Sequence, residues 1–436
     1  MVKKVAIIGA GPSGLLLAHY LLKRDCQYRV DIYERRSDPR TKEITKSRTY
    51  PIALNDRGMN AISQVSGLKE AVAKISVEMQ GTVVHTRNAG TRYIERKKPL
   101  VTLDRTELTK VFLNTLEQRS DRDRFNIHFQ HSCVWVDLNN KQVRFSTPES
   151  ESTVDYDLIV GSDGARSVVR KAFQDTKLFE LEQKYISNDY KSLYLPSGED
   201  KVSNTTLKSG NIHSWRLEDG TVVLLLHQSD GSMAGVIHFP RDNNQIVGLS
   251  SENKVKQFFL EQFPEVGQLM PESEVAAFLK RPVATTLTIR CNRYHYSNSA
   301  LLIGDAAHAV SPSLGQGCNS ALEDVTVLDR LLDEYTDDLS IVLKQFTRCR
   351  LADTHAVVEL SNYTLPFNRS LFVQLIVRQR LAKLLHRFFP QKFLPPLFEA
   401  LHESSIPYAN ILREYRGWCN KVKKSQQKFY EPVNAR

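Results

Sequence analysis

The chain has 436 residues, 41% of them hydrophobic and 25% charged, and a formal net charge of +10. This composition is typical of a folded globular protein and argues against a largely disordered or low-complexity chain. The length predicts two or three lobes. No apolar run approaches the roughly 20 residues that a membrane-spanning helix needs, and the first residues read as a strand rather than a secretory signal.

The positive charge is concentrated at one end of the sequence. Residues 368–436 hold 13 Lys and Arg against four Glu, and the remainder is close to neutral. We therefore expect no nucleic-acid partner, because no basic stripe runs through the main body. Six cysteines are scattered without a CxxC pair. They predict neither a metal site nor a disulfide framework, and they favour the reducing cytoplasm.

The N-terminal residues carry a nucleotide-binding pattern. An apolar strand runs into Gly9-x-Gly11-x-x-Gly14, and Glu34 closes a second apolar run twenty residues later. This arrangement predicts a βαβ dinucleotide unit, in which the three glycines serve the tight turn, the approach of the pyrophosphate and helix packing. A helix from Pro12 to about Lys23 would direct its positive end at the phosphates. Glu34 would accept hydrogen bonds from ribose hydroxyls, and Pro12, Ser13 and Arg35 are assigned to the same site.

Further elements follow from periodicity and turn residues. The pattern of the central part predicts a helix at Arg105–Arg119, a strand at Asn126–Gln130, a hairpin at Val134–Ser146 and a strand at Leu158–Val160. Between about 185 and 285 the alternating segments Thr221–His227 and Met233–Phe239 flank Ser229-Asp230-Gly231, which predicts an antiparallel sheet. The strand Ala300–Ile303 then precedes a long helix. The C-terminal part is predicted to be helical, with breaks at Pro366, Pro390 and Pro395.

Two more motifs narrow the kind of nucleotide-binding protein that the sequence predicts. Asp157-Leu-Ile-Val-Gly-Ser-Asp163-Gly is one, and Gly304-Asp305-Ala-Ala-His308 followed by Pro312-x-x-Gly315-Gln316-Gly317-x-Asn319 is the other. In order and spacing, these motifs and the N-terminal glycines resemble the three signatures of the flavoprotein aromatic hydroxylases over residues 1–330.

The resemblance implies an α/β fold with three parts. A Rossmann-like FAD-binding domain of the aromatic hydroxylase type would comprise residues 1–75, 98–180 and 286–360. A substrate-binding antiparallel β-sheet domain would comprise residues 76–97 and 181–285. Residues 361–436 would form a C-terminal helical region.

The resemblance also implies the reaction. The enzyme would use FAD, transiently bound NAD(P)H and O2 to hydroxylate a small aromatic substrate through a flavin C4a-hydroperoxide. The alternative keeps the fold but carries out epoxidation, oxidative decarboxylation or reduction of a larger lipophilic substrate. A halogenase is disfavoured because its tryptophan-rich motif is missing, and a non-catalytic scaffold is disfavoured because the FAD motifs are intact.

The family likeness assigns roles to individual residues. Asp305 would hold a ribityl hydroxyl, Pro312 would form the wall beside the reacting flavin carbon, and the helix opening at Gly315 would direct N–H groups at the flavin. His308 is expected to be structural. The remaining residues assigned to the cofactor are Arg48, Arg105, Asp163, Gln316, Gly317, Cys318 and Asn319.

Within the superfamily the chain is most similar to the kynurenine 3-monooxygenases, but it departs from them in the substrate pocket. Thr82 stands where the carboxylate-binding arginine of that family is expected, and Val373 where an asparagine is expected. Ser313 and His238 replace two aromatic positions, whereas Tyr408 is retained. Losing a guanidinium removes about 1.5–3 kcal/mol per hydrogen bond. We therefore expect a different, wider and more polar pocket, in which Tyr408 orients a phenol or indole ring.

The basic C-terminal stretch has two interpretations. Apolar residues of Leu371–Phe389 are interleaved with Arg378, Arg380, Lys383 and Arg387. Such a helix could pack on the main body as a lid over the active site. Alternatively, it could make peripheral contact with an anionic membrane.

Overall fold

A computed structural model describes residues 2–24, 27–41, 51–86, 90–119, 123–197, 207–242, 244–366 and 368–430. The strands in these ranges are β1 Lys3–Ile8, β2 Tyr28–Glu34, β3 Pro51–Leu54, β4 Val77–Thr86, β5 Gly90–Asp104, β6 Phe125–Phe129, β7 Ser132–Asp137, β8 Gln142–Ser146, β9 Glu151–Asp155, β10 Leu158–Gly161, β11 Leu181–Leu195, β12 Asn211–Arg216, β13 Val222–His227, β14 Met233–Pro240, β15 Ala284–Cys291, β16 His295–Tyr296 and β17 Ala300–Leu302.

The helices in the same ranges are α1 Pro12–Leu22, α2 Asp56–Ser63, α3 Leu68–Ala73, α4 Arg105–Arg119, α5 Val168–Gln174, α6 Glu252–Gln262, α7 Pro264–Leu269, α8 Glu272–Lys280, α9 Asp305–His308, α10 Gly317–Glu334, α11 Leu339–Tyr363, α12 Arg369–Phe388, α13 Leu397–His402 and α14 Tyr408–Tyr430. A short 3₁₀ turn at Pro312–Leu314 precedes α10.

The first sheet has the strand order β16-β17-β10-β1-β2-β6. Its strands pair in parallel except β16, which is antiparallel to β17. The central strands are apolar runs buried on both faces, as parallel strands covered by helices require: Val5 to Ile8 and all of β10 are buried. The carboxyl ends of these strands meet at one edge, where ligands of open α/β sheets bind.

The second sheet has the order β15-β11-β14-β13-β12-β4-β5-β3 and is antiparallel except where β12 runs parallel to β4. Helices α6 to α8 cover one face, and Phe259, Phe263 and Phe278 pack with Trp215 and Phe239 of the strands in a separate apolar cluster. The sheet extends beyond the stretches 76–97 and 181–285, because β3, the end of β5 and most of β15 also belong to it. The exact domain boundaries stay a prediction.

The C-terminal helices form a third cluster, centred on Trp418 and Tyr408, which are nearly or fully inaccessible. Helices α11 and α12 end before Pro366 and Pro390, and α13 begins after Pro395 and Pro396, as the sequence predicts. The α/β fold with a Rossmann-like sheet, an antiparallel sheet and a helical C-terminal segment is confirmed.

Candidate active site

The glycine turn after β1 is shaped by close packing at two positions and by open space at the third. A Cβ at Gly9, where φ is +102°, would lie 2.6 Å from Ser162 O, and one at Gly14 would lie 2.4 Å from Gly9 O. A Cβ at Gly11 would meet only Ser162 O, at 4.0 Å. Gly9 and Gly14 are therefore required by the protein itself, whereas the space beside Gly11 is left free for a ligand.

The turn and Glu34 are joined at the carboxyl edge of the parallel sheet. Glu34 Oε2 accepts a hydrogen bond from Ala10 N at 3.1 Å, and Oε1 accepts one from Arg36 N at 3.0 Å. Beside Glu34, an open pocket of about 480 Å³ is lined by Arg35, Gln130, Ser132, Val134 and neighbouring residues. Arg35 is assigned from the sequence, whereas the opposite wall is not, because its residues come from β7, the end of β8 and the turns next to them, which carry no nucleotide-binding motif.

A charged pair lies farther along the crevice. Arg105, at the start of α4, and Asp305, at the start of α9, are both exposed, and neither side chain bonds to any other described residue. Both act on the same two neighbours. Burial raises the pKa of Tyr190, and the negative charge of Asp305 adds to this increase whereas the positive charge of Arg105 opposes it. Burial likewise raises the pKa of Cys318 to about 12, again with Asp305 adding and Arg105 opposing. Arg105 and Asp305 therefore lie near both Tyr190 and Cys318.

Asp163 organises the turn that follows β10. Its Oδ2 accepts hydrogen bonds from Val168 N at 2.6 Å and Val169 N at 3.3 Å, at the start of α5. Burial raises the pKa of this carboxyl, against the hydrogen bonds that lower it. Arg170 then donates to Ala306 O at 2.9 Å. The second motif thus braces the turn that carries Asp305.

His308 is structural, as expected. Its Nε2 lies 2.6 Å from Asp324 Oδ2, which also accepts from Gly304 N at 2.8 Å. Arg350 Nε donates to the other oxygen of Asp324 at 2.8 Å. Burial would raise the pKa of Asp324, but His308 and Arg350 outweigh it and hold the pKa below its usual value. This buried group fixes the backbone of the Gly304–His308 turn.

The turn before α10 presents its backbone rather than its side chains. Gln316 and Asn319 are fully buried. Asn319 accepts from Asn55 N at 2.9 Å and donates to Ala53 O and Gly315 O at 2.8 and 3.0 Å. Gln316 is likewise saturated by four partners. The polar side-chain atoms of both residues therefore already bond to protein, so their predicted contact with the cofactor would have to come from the backbone.

The start of α10 remains available to a ligand. Its N-cap, Gln316, supplies no side-chain hydrogen bond, so the first-turn N–H groups lack a side-chain acceptor and carry the positive end of the helix dipole. Gly315 adopts a left-handed conformation, with φ +64°, and a Cβ there would meet only Ala53 at 3.9 Å. Pro312 opens the 3₁₀ turn next to this backbone.

Three of the residues assigned to the substrate have constrained environments. Tyr408 has no exposed surface and donates its hydroxyl hydrogen to Gln316 Oε1 at 2.8 Å, with its ring 4.1 Å below the Arg57 guanidinium. Ser313 donates to Ser361 O. Val373 is 54% exposed on α12. Tyr408 thus holds Gln316, and Val373 lies on an exposed part of α12; the assignment of both residues to the substrate stays a prediction.

The other two residues lie on the second sheet. Thr82 pairs with Ile212 of β12 and Ile94 of β5 and is partly exposed. His238 pairs with Tyr190, the tyrosine of the crevice, and its ring lies 5.6 Å away. Burial lowers the pKa of His238 to about 4, although the residue keeps accessible surface. His238 therefore places a neutral, partly accessible imidazole beside Tyr190.

These residues fit FAD. The free space at Gly11, the unpaired Arg105 and Asp305, and the uncapped start of α10 provide sites for a pyrophosphate, a ribityl chain and an electron-rich ring edge, respectively. Arg48, which was also assigned to the cofactor, lies outside the described residues.

The comparison with known families defines the class of protein. A family described as "FAD binding domain" matches residues 3–361. The fold is also similar to that of 2-methyl-3-hydroxypyridine-5-carboxylic acid oxygenase, with a TM-score of 0.69 and 20% identity over 85% of this chain and 92% of that one. PqsL of P. aeruginosa, solved in complex with 2-aminobenzoylacetate, has a TM-score of 0.65 and 18% identity over 83% and 95%. The class is that of the FAD-dependent monooxygenases.

Full-length relatives narrow the class. Kynurenine 3-monooxygenase of Drosophila willistoni is 32% identical over 96% of this chain and 91% of the relative, and that of Sus scrofa is 28% identical over 96% and 87%. The chain belongs to the kynurenine 3-monooxygenase family of FAD-binding flavoproteins. It is a flavin-dependent monooxygenase of the aromatic hydroxylase type, with FAD as its cofactor.

Proposed function

We propose that this enzyme uses NAD(P)H and O2 to hydroxylate a small aromatic compound other than kynurenine. Bound FAD, reduced by the nicotinamide cofactor, would supply the chemistry that activates O2 for transfer of one oxygen atom to the ring. The observation that carries the proposal is the pair of exposed side chains Arg105 and Asp305, both unpaired among the described residues, which lie near Tyr190 and Cys318. No second GxGxxG is present in the sequence, which favours transient binding of NAD(P)H.

The protein contributes binding, orientation and the exclusion of water. Glu34, the space at Gly11 and Asp305 would hold the nucleotide and the ribityl chain. The positive end of α10 would stabilise negative charge on the flavin ring, because its N–H groups are fixed before reaction. The buried aromatic and apolar walls would keep water from the reacting centre, and Pro312 would form part of the wall nearest to it.

The substrate proposal rests on the departures from the family pattern. Thr82 offers no cation for a substrate carboxylate, and Val373 offers no amide and is 54% exposed on α12. His238 contributes a neutral imidazole beside Tyr190. Such a wall suits a ring with polar substituents, such as a phenol or an indole, held in a pocket different from that of the relatives named kynurenine 3-monooxygenase.

The decisive experiment measures which aromatic compounds accelerate the bleaching of the bound flavin by NADH or NADPH under anaerobic conditions. Oxygen is then admitted, and hydroxylated product is quantified against hydrogen peroxide. We expect acceleration by at least one phenol or indole, with product formed. Acceleration by L-kynurenine alone would refute the substrate proposal, and product formed by epoxidation or decarboxylation would replace hydroxylation with that reaction.

We also propose that α12 contacts an anionic membrane surface. Along one face of this helix, five apolar side chains recur at intervals of three or four residues and are 52–66% exposed: Val373, Val377, Leu381, Leu384 and Phe388. Arg380, Lys383 and Arg387 are exposed near them. An apolar stripe next to cations matches a lipid interface. No helix in the described part of the chain is long and apolar enough to span a bilayer.

Co-sedimentation with vesicles tests this second proposal. The enzyme should bind vesicles that contain equal amounts of phosphatidylcholine and phosphatidylglycerol, and it should dissociate from them in high salt. The double substitution Leu381→Glu with Phe388→Glu should abolish binding, whereas Val247→Glu, at a site 67% exposed outside α12, should not. If the double variant and the unaltered enzyme sediment equally, the exposed face of α12 does not contact the vesicles. That result would favour the interpretation of α12 as a lid.

A further inference from the structure

An irregularity in the second sheet presents an arginine that the sequence pattern does not reveal. Between β4 and β5, Met79 pairs with Leu100 while Gly81 pairs with Glu95, so residues 96–99 stand opposite Gln80 alone. A bulge of this kind redirects side chains away from the regular alternation of a strand. The bulge is anchored by two ion pairs, Lys97 with Glu399 of α13 and Lys98 with Asp56 of α2.

Arg96, the first residue of the bulge, forms no ion pair with any residue that the structure describes. Its Nε is buried without a hydrogen bond, and no ion pair joins the guanidinium to any described carboxylate. Burial lowers the pKa of Arg96, and the charge of Glu403 opposes that change, but a guanidinium stays protonated. Glu403 Oε2 is itself buried and unbonded. The buried Nε–H of Arg96 therefore lacks an acceptor, and an anionic ligand would supply one.

A chain of hydrogen bonds fixes a second donor beside Arg96. Asn55 Oδ1 caps α2 by accepting from Arg57 N and Gly58 N at 3.0 and 3.4 Å, so its Nδ2 must face Gln316 Oε1, at 3.0 Å. The amide nitrogen of Gln316 is then directed at His402 Nδ1, 3.1 Å away. That ring nitrogen accepts, so the hydrogen of the neutral imidazole resides on Nε2.

His402 is held neutral and next to the arginine. Burial first, and the charge of Arg96 second, lower the pKa of His402 to about 3. The residue nevertheless keeps accessible surface, and its Nε2–H makes no hydrogen bond to a described residue. Lys97, the neighbour of Arg96, pairs with Glu399 of α13, the helix that ends at His402. Arg96 and His402 therefore offer a cation and a neutral N–H donor on adjoining elements, and His402 is attached through Gln316 to the turn that opens α10.

We infer that Arg96 and His402 bind an anionic substituent, a carboxylate or its equivalent, on the aromatic substrate. This inference rests on the hydroxylase function proposed above. Thr82 pairs with Ile94, two residues before Arg96, so the bulge in β5 supplies a cation close to the position on β4 that lacks one. Charge-assisted hydrogen bonds from a guanidinium are directional and strong, so the pair would select substrates by charge and by the distance between the anion and the reacting carbon.

Matched ligands of different charge test the inference on the FAD-loaded enzyme. Dissociation constants are measured from the perturbation of flavin absorbance with 4-hydroxybenzoate against 4-hydroxybenzamide, and with indole-3-acetate against indole-3-acetamide. In at least one pair the carboxylate should bind about tenfold or more tightly than its amide. Arg96→Met should reduce that preference to about twofold or less, Arg96→Lys should retain part of it, and His402→Phe should weaken it by a smaller factor.

Arg92→Met is the matched control, because Arg92 is an exposed arginine on the same strand, and it should leave the preference unchanged. Equal affinity for acids and amides in the unaltered enzyme, no binding of either acid, or full preference in Arg96→Met would overturn the inference. FAD absorbance and reduction by NAD(P)H report separately on the hydroxylase function. A variant that keeps both properties but loses the preference for the acid over the amide is therefore altered in the anion site alone.

Discussion

Tyr408 donates its hydroxyl hydrogen to Gln316 Oε1 at 2.8 Å, and the same oxygen accepts from Asn55 Nδ2 at 3.0 Å. The C-terminal helices therefore hold the turn before α10 from behind. Tyr408, which is predicted to orient the substrate, thus also positions Gln316, the residue that precedes α10. Its effect on the reaction would pass through Gln316 and the backbone of that turn.

Tyr408→Phe should accordingly loosen the turn without changing the shape of the substrate cavity. One buried hydrogen bond is lost, which costs about 1 kcal/mol of folding stability. We expect more hydrogen peroxide per NAD(P)H consumed, because the flavin is held less firmly, and an unchanged dissociation constant for the aromatic substrate. Product and peroxide yields measure the first effect, and flavin perturbation measures the second. A selective loss of substrate affinity would instead indicate direct contact.

The three glycines after β1 should separate into two classes. Gly14→Ala places a Cβ 2.4 Å from Gly9 O, so we expect folding stability to fall by about 1–3 kcal/mol or more. Gly11→Ala meets only Ser162 O at 4.0 Å, so the FAD-free protein should melt at the temperature of the unaltered one but bind FAD poorly. Thermal melts without FAD and titration with FAD distinguish the two. Normal FAD affinity in Gly11→Ala would contradict the assignment.

Asp305 should be needed for the cofactor and not for folding. It is exposed and makes no side-chain hydrogen bond to a described residue, so Asp305→Ala should leave the FAD-free stability unchanged. Loss of a charge-assisted hydrogen bond predicts FAD affinity about tenfold lower or more, measured by equilibrium dialysis. Glu334→Ala, which removes an exposed carboxylate at the far end of α10, is the control and should retain FAD normally.

L-Kynurenine should be a poor substrate. Thr82 cannot provide the guanidinium that the family pattern places there, and Val373 lies on an exposed face. Arg96 approaches from a different strand, so an anion bound there would hold the kynurenine ring at a different distance from the flavin. We expect turnover well below about 1 per second, measured as 3-hydroxykynurenine by chromatography. Turnover at that rate or faster would refute this reading of the pocket.

Acid should destabilise the second sheet through its buried histidines. Burial lowers the pKa of His238 to about 4, whereas an unfolded histidine titrates near 6.5. Between these pH values the unfolded state binds more protons than the native state. The free energy of unfolding therefore falls as the pH falls from about 6.5 to about 4. His238→Phe should make the melting temperature less dependent on pH in this window, and His386→Phe, on α12, should not. Identical pH profiles would exclude the effect.

The sequence by itself determined the nucleotide half of the molecule. The βαβ unit, helix Arg105–Arg119 and the helix breaks at prolines agree with the structure within a few residues, because apolar runs, glycine turns and prolines act over short distances. The FAD-binding class followed from three local motifs, each of which carries its own turn geometry.

Only the tertiary structure decided what faces the substrate. Tyr408 and Gln316 are 92 residues apart and share a buried hydrogen bond, which the position of neither residue in its motif indicates. Arg96 is redirected by a bulge between β4 and β5, and His402 is oriented through Gln316 from Asn55. Such contacts depend on strand register and on packing between distant elements, which leave no periodic trace in the chain.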